Sequence, residues 1–150
     1  MMIHPAFVHF PLALLTLYVL LELVPFSKFF PKVSWDQVKY FLLYIGTLSI
    51  FPAILTGLIA EDIVGENVVL SAHKAGAMAI LLIFLVASLL ALWNQFYSFP
   101  RPELFRVVQK LLAIFGMIAL VVQGVLGAAM VYGYSADPIT SFISSLFGFH

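Results

Sequence analysis

The sequence has no cysteine and very little charge, and each of these shortages excludes whole classes of protein. Without cysteine, the 150-residue chain forms no disulfide, thiolate metal site, iron–sulfur cluster or thioether link to a c-type haem. Charged side chains make up 9% of the residues and hydrophobic ones 63%, whereas an ordinary soluble domain is roughly 25% charged. So few charges could not cover the surface of a soluble globule. The composition therefore excludes a soluble enzyme, a nucleic-acid-binding protein with a basic face and a disordered chain.

The apolar residues occur in four long blocks. A helix needs about 20 mostly apolar residues to cross a bilayer, and four stretches meet this requirement: residues 5–26, 39–60, 71–97 and 107–132. Because these spans use most of the chain, we predict an all-α integral membrane protein that is a single four-transmembrane-helix bundle. Residues 137–150 are too short to span and are expected to lie at the membrane interface.

Lysine and arginine are unevenly distributed between the connections. Six of the seven lie in or beside the first and third connections, residues 27–38 and 98–106, whereas Lys74 borders the second. Positively charged loops stay on the cytoplasmic side of a membrane. The first and third connections are therefore predicted to face the cytoplasm, and both termini to lie on the outer side.

All four histidines fall toward the predicted outer side. His9 lies about one turn inside the first span and His73 near the start of the third, so an antiparallel bundle places both at similar depth. Neutral imidazole is a good axial ligand for haem iron, and small neighbouring residues would leave space for a flat ligand. We therefore predict a b-type haem between His9 and His73. The candidate cofactor site also includes a nearby cation, three glycines and an intramembrane amide: Lys74, Gly57, Gly76, Gly127 and Gln123.

Two other interpretations of the histidines remain open. Histidines at a membrane interface commonly bond to carbonyls, water or headgroups without holding a cofactor. Alternatively, His4, His9 and His73 could bind one metal ion together with Glu61 or Asp62. Residues five apart point about 140° away from each other on a helix. His4 and His9 could therefore converge only if His4 precedes the helix, which the proline after it would allow.

Gln123 is the clearly intramembrane amide of the sequence. A polar group at this depth usually faces the bundle interior and finds a partner there. We expect an interhelical hydrogen bond, with Ser49 or Thr56 as candidate partners, and keep a quinone or substrate contact as the alternative.

Two further features predict contacts between helices. Glu22, near the cytoplasmic end of the first span, is expected to pair with Lys39 or Lys110. Small residues let membrane helices approach closely, and the second span carries a continuous line of them: Gly46, Ser49, Ala53, Gly57 and Ala60.

Several short motifs resemble those of one family. Residues 4–14, HPAFVHFPLAL, resemble the HPxxVHFP-[IL]-AL start of an uncharacterised four-span bacterial membrane-protein family, a domain of unknown function of the DUF2231 type. Thr56-Gly57 before the acidic loop and His73 at the start of the third span are similar to it too. Residues 127–132, GAAMVY, look like the family's GGxLVY ending. This resemblance implies a four-span fold in the bacterial inner membrane.

The resemblance implies polar positions but no reaction. Where the family often continues with histidine and glycine, this chain has Tyr134-Ser135, which removes one candidate ligand. Some relatives are thought to lie beside cytochromes and redox proteins, which is similar to the haem hypothesis.

Three hypotheses for function follow. In the first, the chain is a haem b electron-transfer subunit at the outer face, acting alone or in a larger membrane complex with a redox protein as partner. In the second, it is a non-redox structural or accessory subunit whose histidines and glycines serve packing. The third, a small transporter or metal-binding membrane protein, is weakest because no charged intramembrane relay is apparent. We expect no enzyme activity from the chain alone, contact with the lipid bilayer, and no nucleic-acid partner.

Overall fold

Four long helices form the structure. The computed structural model describes residues 3–64, 68–133, 138, 141–142 and 145. The helices are α1 (Ile3–Leu23), α2 (Trp35–Val64), α3 (Val68–Tyr97) and α4 (Pro102–Tyr132), and a short 3-10 helix (Phe26–Lys28) follows α1. Each of the four is long and apolar enough to cross a membrane, and the described residues contain no strand. The prediction of an all-α, four-span membrane protein is thus confirmed.

Three of the helices, α2, α3 and α4, are longer than the apolar stretches that predicted them. Helices α2 and α3 have 30 residues each and α4 has 31, which corresponds to about 45 Å at 1.5 Å per residue. The hydrocarbon core of a bilayer is about 30 Å thick. These long helices therefore extend into the polar interface, where the residues are less apolar and hydropathy no longer predicts a span. Residues 138, 141–142 and 145 are helical, and the rest of the predicted interfacial segment 137–150 lies outside the described residues.

Neighbours in the chain are also neighbours in the bundle. The closest pairs are α1 with α2 and α3 with α4, and α1–α4 and α2–α3 contacts close the ring. Helices α1 and α3 therefore lie on one diagonal. Five large side chains are fully buried at the centre: Leu15, Tyr18, Val19, Leu43 and Phe84.

Two glycines allow these close helix contacts. A Cβ atom on Gly46 of α2 would lie 2.6 Å from Cδ2 of Leu15 on α1, and one on Gly116 of α4 would lie 2.5 Å from Cζ of Phe84 on α3. Both distances are much shorter than an ordinary van der Waals contact, so a larger residue would push the helices apart. The line of small residues in α2 therefore packs against α1.

The two ends of the bundle differ in their charged and polar residues. The end that contains His4 and His73 is called the histidine end, and the end that contains Lys39 and Lys110 is called the basic end. At the basic end, Lys39 Nζ lies 3.0 Å from Glu22 Oε2, so Lys39 is the partner of Glu22. In the middle of the bundle the Thr47 hydroxyl contacts that of Ser88 at 3.0 Å and joins α2 to α3.

Candidate functional site

His4 faces α2 from the first turn of α1. Its Nδ1 lies 3.1 Å from the Thr56 hydroxyl oxygen. That hydroxyl donates its single proton to the α2 backbone, where the carbonyl oxygen of Pro52 is 2.9 Å away. Thr56 therefore accepts the proton of His4 Nδ1, and the Nε2 atom of His4 keeps its lone pair. Gly57 lies directly under the ring, since a Cβ there would be 3.0 Å from His4 Cε1.

His73 and Gln123 form the matching contact between α3 and α4. The Gln123 amide nitrogen lies 3.1 Å from His73 Nε2 and 3.0 Å from the His73 carbonyl oxygen. An amide nitrogen carries two protons, so it donates to both acceptors. A neutral His73 then carries its proton on Nδ1. Gly127 lies next to this ring. A Cβ atom at position 127 would be 3.6 Å from His73 Cε1, which is an ordinary contact distance.

Two polar atoms of this contact are buried without a hydrogen-bond partner. They are Nδ1 of His73 and Oε1 of Gln123. Oε1 lies over Gly76, where a Cβ would be only 2.3 Å away. A buried polar group that lacks a partner costs about 1–3 kcal/mol. A ligand that engaged these two atoms would therefore gain that free energy in addition to its other contacts.

The two contacts belong to one polar group of residues, which we call the histidine cluster: His4, Thr56, His73 and Gln123. The His4–Thr56 contact joins α1 to α2, and the His73–Gln123 contact joins α3 to α4. The cluster therefore places an imidazole from α1 and an imidazole from α3 at the same end of the bundle.

His9 has a different environment from the one predicted. Helix α1 begins at Ile3, so His4 and Pro5 both lie within it and the angle of about 140° between His4 and His9 is kept. His9 is exposed, and its Nδ1 bonds to the carbonyl oxygen of Pro5 in its own helix. His4, and not His9, therefore faces the neighbouring helix α2 at this end of the bundle. The pairing of His9 with His73 stays a prediction.

The family comparison agrees with this architecture. A family model described as "Predicted membrane protein (DUF2231)" matches residues 1–137. The chain belongs to this DUF2231 family. The match includes all four helices and every member of the histidine cluster. No curated protein and no solved structure matches the chain.

Lys74, the cation that the sequence analysis placed in the cofactor site of this DUF2231 protein, forms an ion pair with Glu61. Lys74 Nζ lies 2.6 Å from Glu61 Oε1, in an ion pair that joins α3 to α2 at the histidine end. Its side chain is 46% exposed, so the pair lies at the rim of the bundle and not among the interior imidazoles.

The three histidines predicted as metal ligands are not gathered into one group. Within the described part of the chain, no three His, Asp or Glu side chains are close enough to hold a metal ion together. Helical geometry is the reason, because His9 points away from the face that carries His4. The side chain of Asp62, a further candidate, lies outside the described residues.

The sequence contained a signal for which of the two histidines of α1 faces its neighbours. In the DUF2231 chain, positions 4, 8, 11, 15 and 18 follow the three- and four-residue spacing of one helix face. Leu15 and Tyr18 on that face are fully buried. Extending the face toward the N-terminus selects His4 and rejects His9. Thr56 carries no comparable signal, because hydroxyls bonded to their own helix are common in membrane spans.

Proposed function

We propose that this membrane protein binds a b-type haem at the histidine end, where His4 and His73 would hold it. One observation carries the proposal: His73 has a buried Nδ1 without a hydrogen-bond partner, and a second imidazole, that of His4, lies at the same end of the bundle. Helix bundles commonly hold cofactors between side chains of facing helices.

The number of donors favours haem over a bare metal ion. A bare ion such as zinc requires about four protein ligands, and the described residues gather no more than two imidazoles here. Haem iron is already coordinated in the plane of the porphyrin and needs only axial ligands, for which neutral imidazole is suitable.

Hydrogen bonding prepares the His4 imidazole for this role, and a turn of the Gln123 amide would prepare that of His73. Thr56 accepts the His4 Nδ1 proton and leaves Nε2 free to ligate. If His73 ligates through Nδ1, its proton resides on Nε2, and Gln123 can accept that proton through Oε1. Ligation would therefore use both of the atoms that lack partners. The His4 ring covers Gly57, and the Gln123 amide covers Gly76. Both the ring and the amide would have to rotate to make room for the porphyrin.

The bound haem would supply a one-electron redox centre. The K/R distribution predicts that the histidine end faces the outer side of the bacterial inner membrane, which makes a redox protein or a larger membrane complex at that face the expected partner. In this role the chain carries electrons and performs no reaction by itself.

Absorption spectra of the purified protein test the proposal. The full chain is reconstituted with haem in detergent, and oxidised and reduced spectra are recorded for the parent protein and for His4→Ala, His73→Ala and His9→Ala. His9→Ala is the matched control, because it removes an exposed imidazole from the same end of α1. We expect Soret and α bands in the parent and His9→Ala proteins and their loss in the other two variants. Absence of a chromophore in excess haem would contradict the proposal.

Close packing supports a second candidate, a non-redox accessory subunit. The His4 ring lies directly against Gly57 and the Gln123 amide against Gly76, so the cluster joins α1 to α2 and α3 to α4. In that case no variant binds haem, whereas His4→Ala and His73→Ala lower the unfolding temperature more than His9→Ala does. The spectra and the melting curves together separate the two functions.

A further inference from the structure

At the basic end the helices and the connection after α1 border an open cavity of about 750 Å³, a volume within the usual range of ligand sites. Two buried residues line its inner part: the Tyr18 hydroxyl donates to Gln109 Oε1 at 3.2 Å, and Gln109 Nε2 donates to the Ala87 carbonyl oxygen at 2.9 Å. Their polar atoms are already paired, so this part of the cavity is rigid. The cavity is separate from the histidine cluster and does not depend on it.

The connection between α1 and α2 forms one wall of this cavity. The Trp35 ring packs against Phe26 with ring centres 5.6 Å apart and against Phe30 at 6.4 Å. Its indole nitrogen donates to the Phe30 carbonyl oxygen at 2.9 Å. These contacts hold the connection in a defined conformation. A ligand entering the cavity therefore meets a formed wall and does not have to order a flexible loop.

The charges that line the cavity do not balance. Glu22 and Asp36 both contact Lys39, each at 3.0 Å, so the two acids share one base. Arg106 pairs with Glu103 through one nitrogen and keeps other guanidinium donors. Lys110 also lines the cavity, and the described residues offer it no ion pair. Three basic and two acidic residues line the cavity, a net charge of +1, and the donors open to an anionic ligand are the Lys110 ammonium and the remaining guanidinium donors of Arg106.

We propose that this cavity binds the phosphate-bearing headgroup of an anionic phospholipid. Arg106 and Lys110 are four residues apart on α4, so their side chains share a face and can reach one phosphate. An arginine fork and a lysine ammonium are the usual phosphate donors. The cavity lies at the ends of the spans, at the depth of the lipid headgroups, and basic pockets between membrane helices bind such headgroups. A soluble phosphate ester has the same chemistry, and the experiment separates the two sources.

Lipid titrations of the detergent-purified full chain test the proposal. Binding of phosphatidylglycerol is followed by native mass spectrometry and by the unfolding temperature, with phosphatidylcholine and glycerol 3-phosphate in parallel. We expect phosphatidylglycerol to bind and to raise the unfolding temperature, and the other two to have little effect. Lys110→Gln and Arg106→Gln should each weaken phosphatidylglycerol binding about fivefold, as expected for one basic group near a membrane surface.

Lys32→Gln is the matched control. Lys32 is exposed at the same end, and its replacement removes the same charge, but it does not line the cavity. Its affinity for phosphatidylglycerol should equal that of the parent protein. An equal loss in Lys32→Gln and Lys110→Gln would overturn the proposal, because the attraction would then belong to the whole basic surface. Full stabilisation by glycerol 3-phosphate alone would overturn the lipid assignment, and equal binding of phosphatidylcholine would overturn the selectivity for an anionic headgroup.

Discussion

The histidine end and the basic end each bring a glutamine into an apolar bundle, but the hydrogen bonds of the two glutamines differ. At the basic end, Gln109 is 3% exposed and uses both its oxygen and its nitrogen in hydrogen bonds, beside an open cavity. At the histidine end, Gln123 uses only its nitrogen, and its oxygen and His73 Nδ1 have no partner in a closely packed cluster.

This difference separates two kinds of binding site. Where polar atoms are buried and unpaired, the free energy of the protein falls when a ligand supplies the missing contact. Where they are paired but a cavity with free basic donors remains, the ligand is attracted by those donors and by the space available to it. Substitutions at the two glutamines and their neighbours test this distinction.

The largest effect is expected at Gln109. Gln109→Leu removes the acceptor of the Tyr18 hydroxyl, which is 1% exposed and would be left unpaired. We expect a loss of about 2–3 kcal/mol in the free energy of unfolding, measured in detergent micelles. The double variant Tyr18→Phe with Gln109→Leu removes both partners and should recover most of that loss. If the double variant is less stable than Gln109→Leu, the hydrogen bond is not the cause.

A smaller effect is expected at Gly76. In Gly76→Ala the new Cβ would lie 2.3 Å from Gln123 Oε1, so the amide must move away from His73. We expect a loss of about 1–2 kcal/mol in the free energy of unfolding, together with weaker haem binding. Gly124→Ala is the matched control, because a Cβ there meets no atom within 4 Å. It should stabilise α4 by up to about 1 kcal/mol through helix propensity.

Gln123 should be less important for stability than Gln109. Gln123→Leu loses the two bonds to His73 but also removes the oxygen that has no partner. We therefore expect a loss of about 1 kcal/mol in the free energy of unfolding, smaller than that of Gln109→Leu. A loss as large as at Gln109 would show that the two ends do not differ in the way proposed.

The smallest effect is expected for the exposed ion pair at the histidine end. Lys74→Gln breaks the contact with Glu61, but the lysine side chain is 46% exposed and water screens the pair. We expect a change of about 0.5 kcal/mol or less in the free energy of unfolding. This change should shrink further as the salt concentration rises. A large loss that is insensitive to salt would mean that the pair supports the interior cluster.

Two contacts between helices, those of Glu22 and Gln123, could be predicted in part from the sequence. Glu22 pairs with Lys39, one of its two predicted partners, because α1 and α2 are joined by a short connection that keeps their ends together. Gln123 makes an interhelical hydrogen bond as predicted, but to His73 and not to Ser49 or Thr56. The amide belongs to α4, which packs most closely against α3, whereas both predicted partners are on α2.

The sequence by itself determined that the chain crosses a membrane four times as helices. Hydropathy and length decide this locally, because every backbone group in the bilayer core must find its partner within its own helix. Only the tertiary structure decided that His4 contacts Thr56 on α2 and that His9 is exposed. That choice depends on where α1 begins and on which face of it packs against α2. Both depend on packing between segments that are far apart in the chain, and the sequence of a single span does not contain that information.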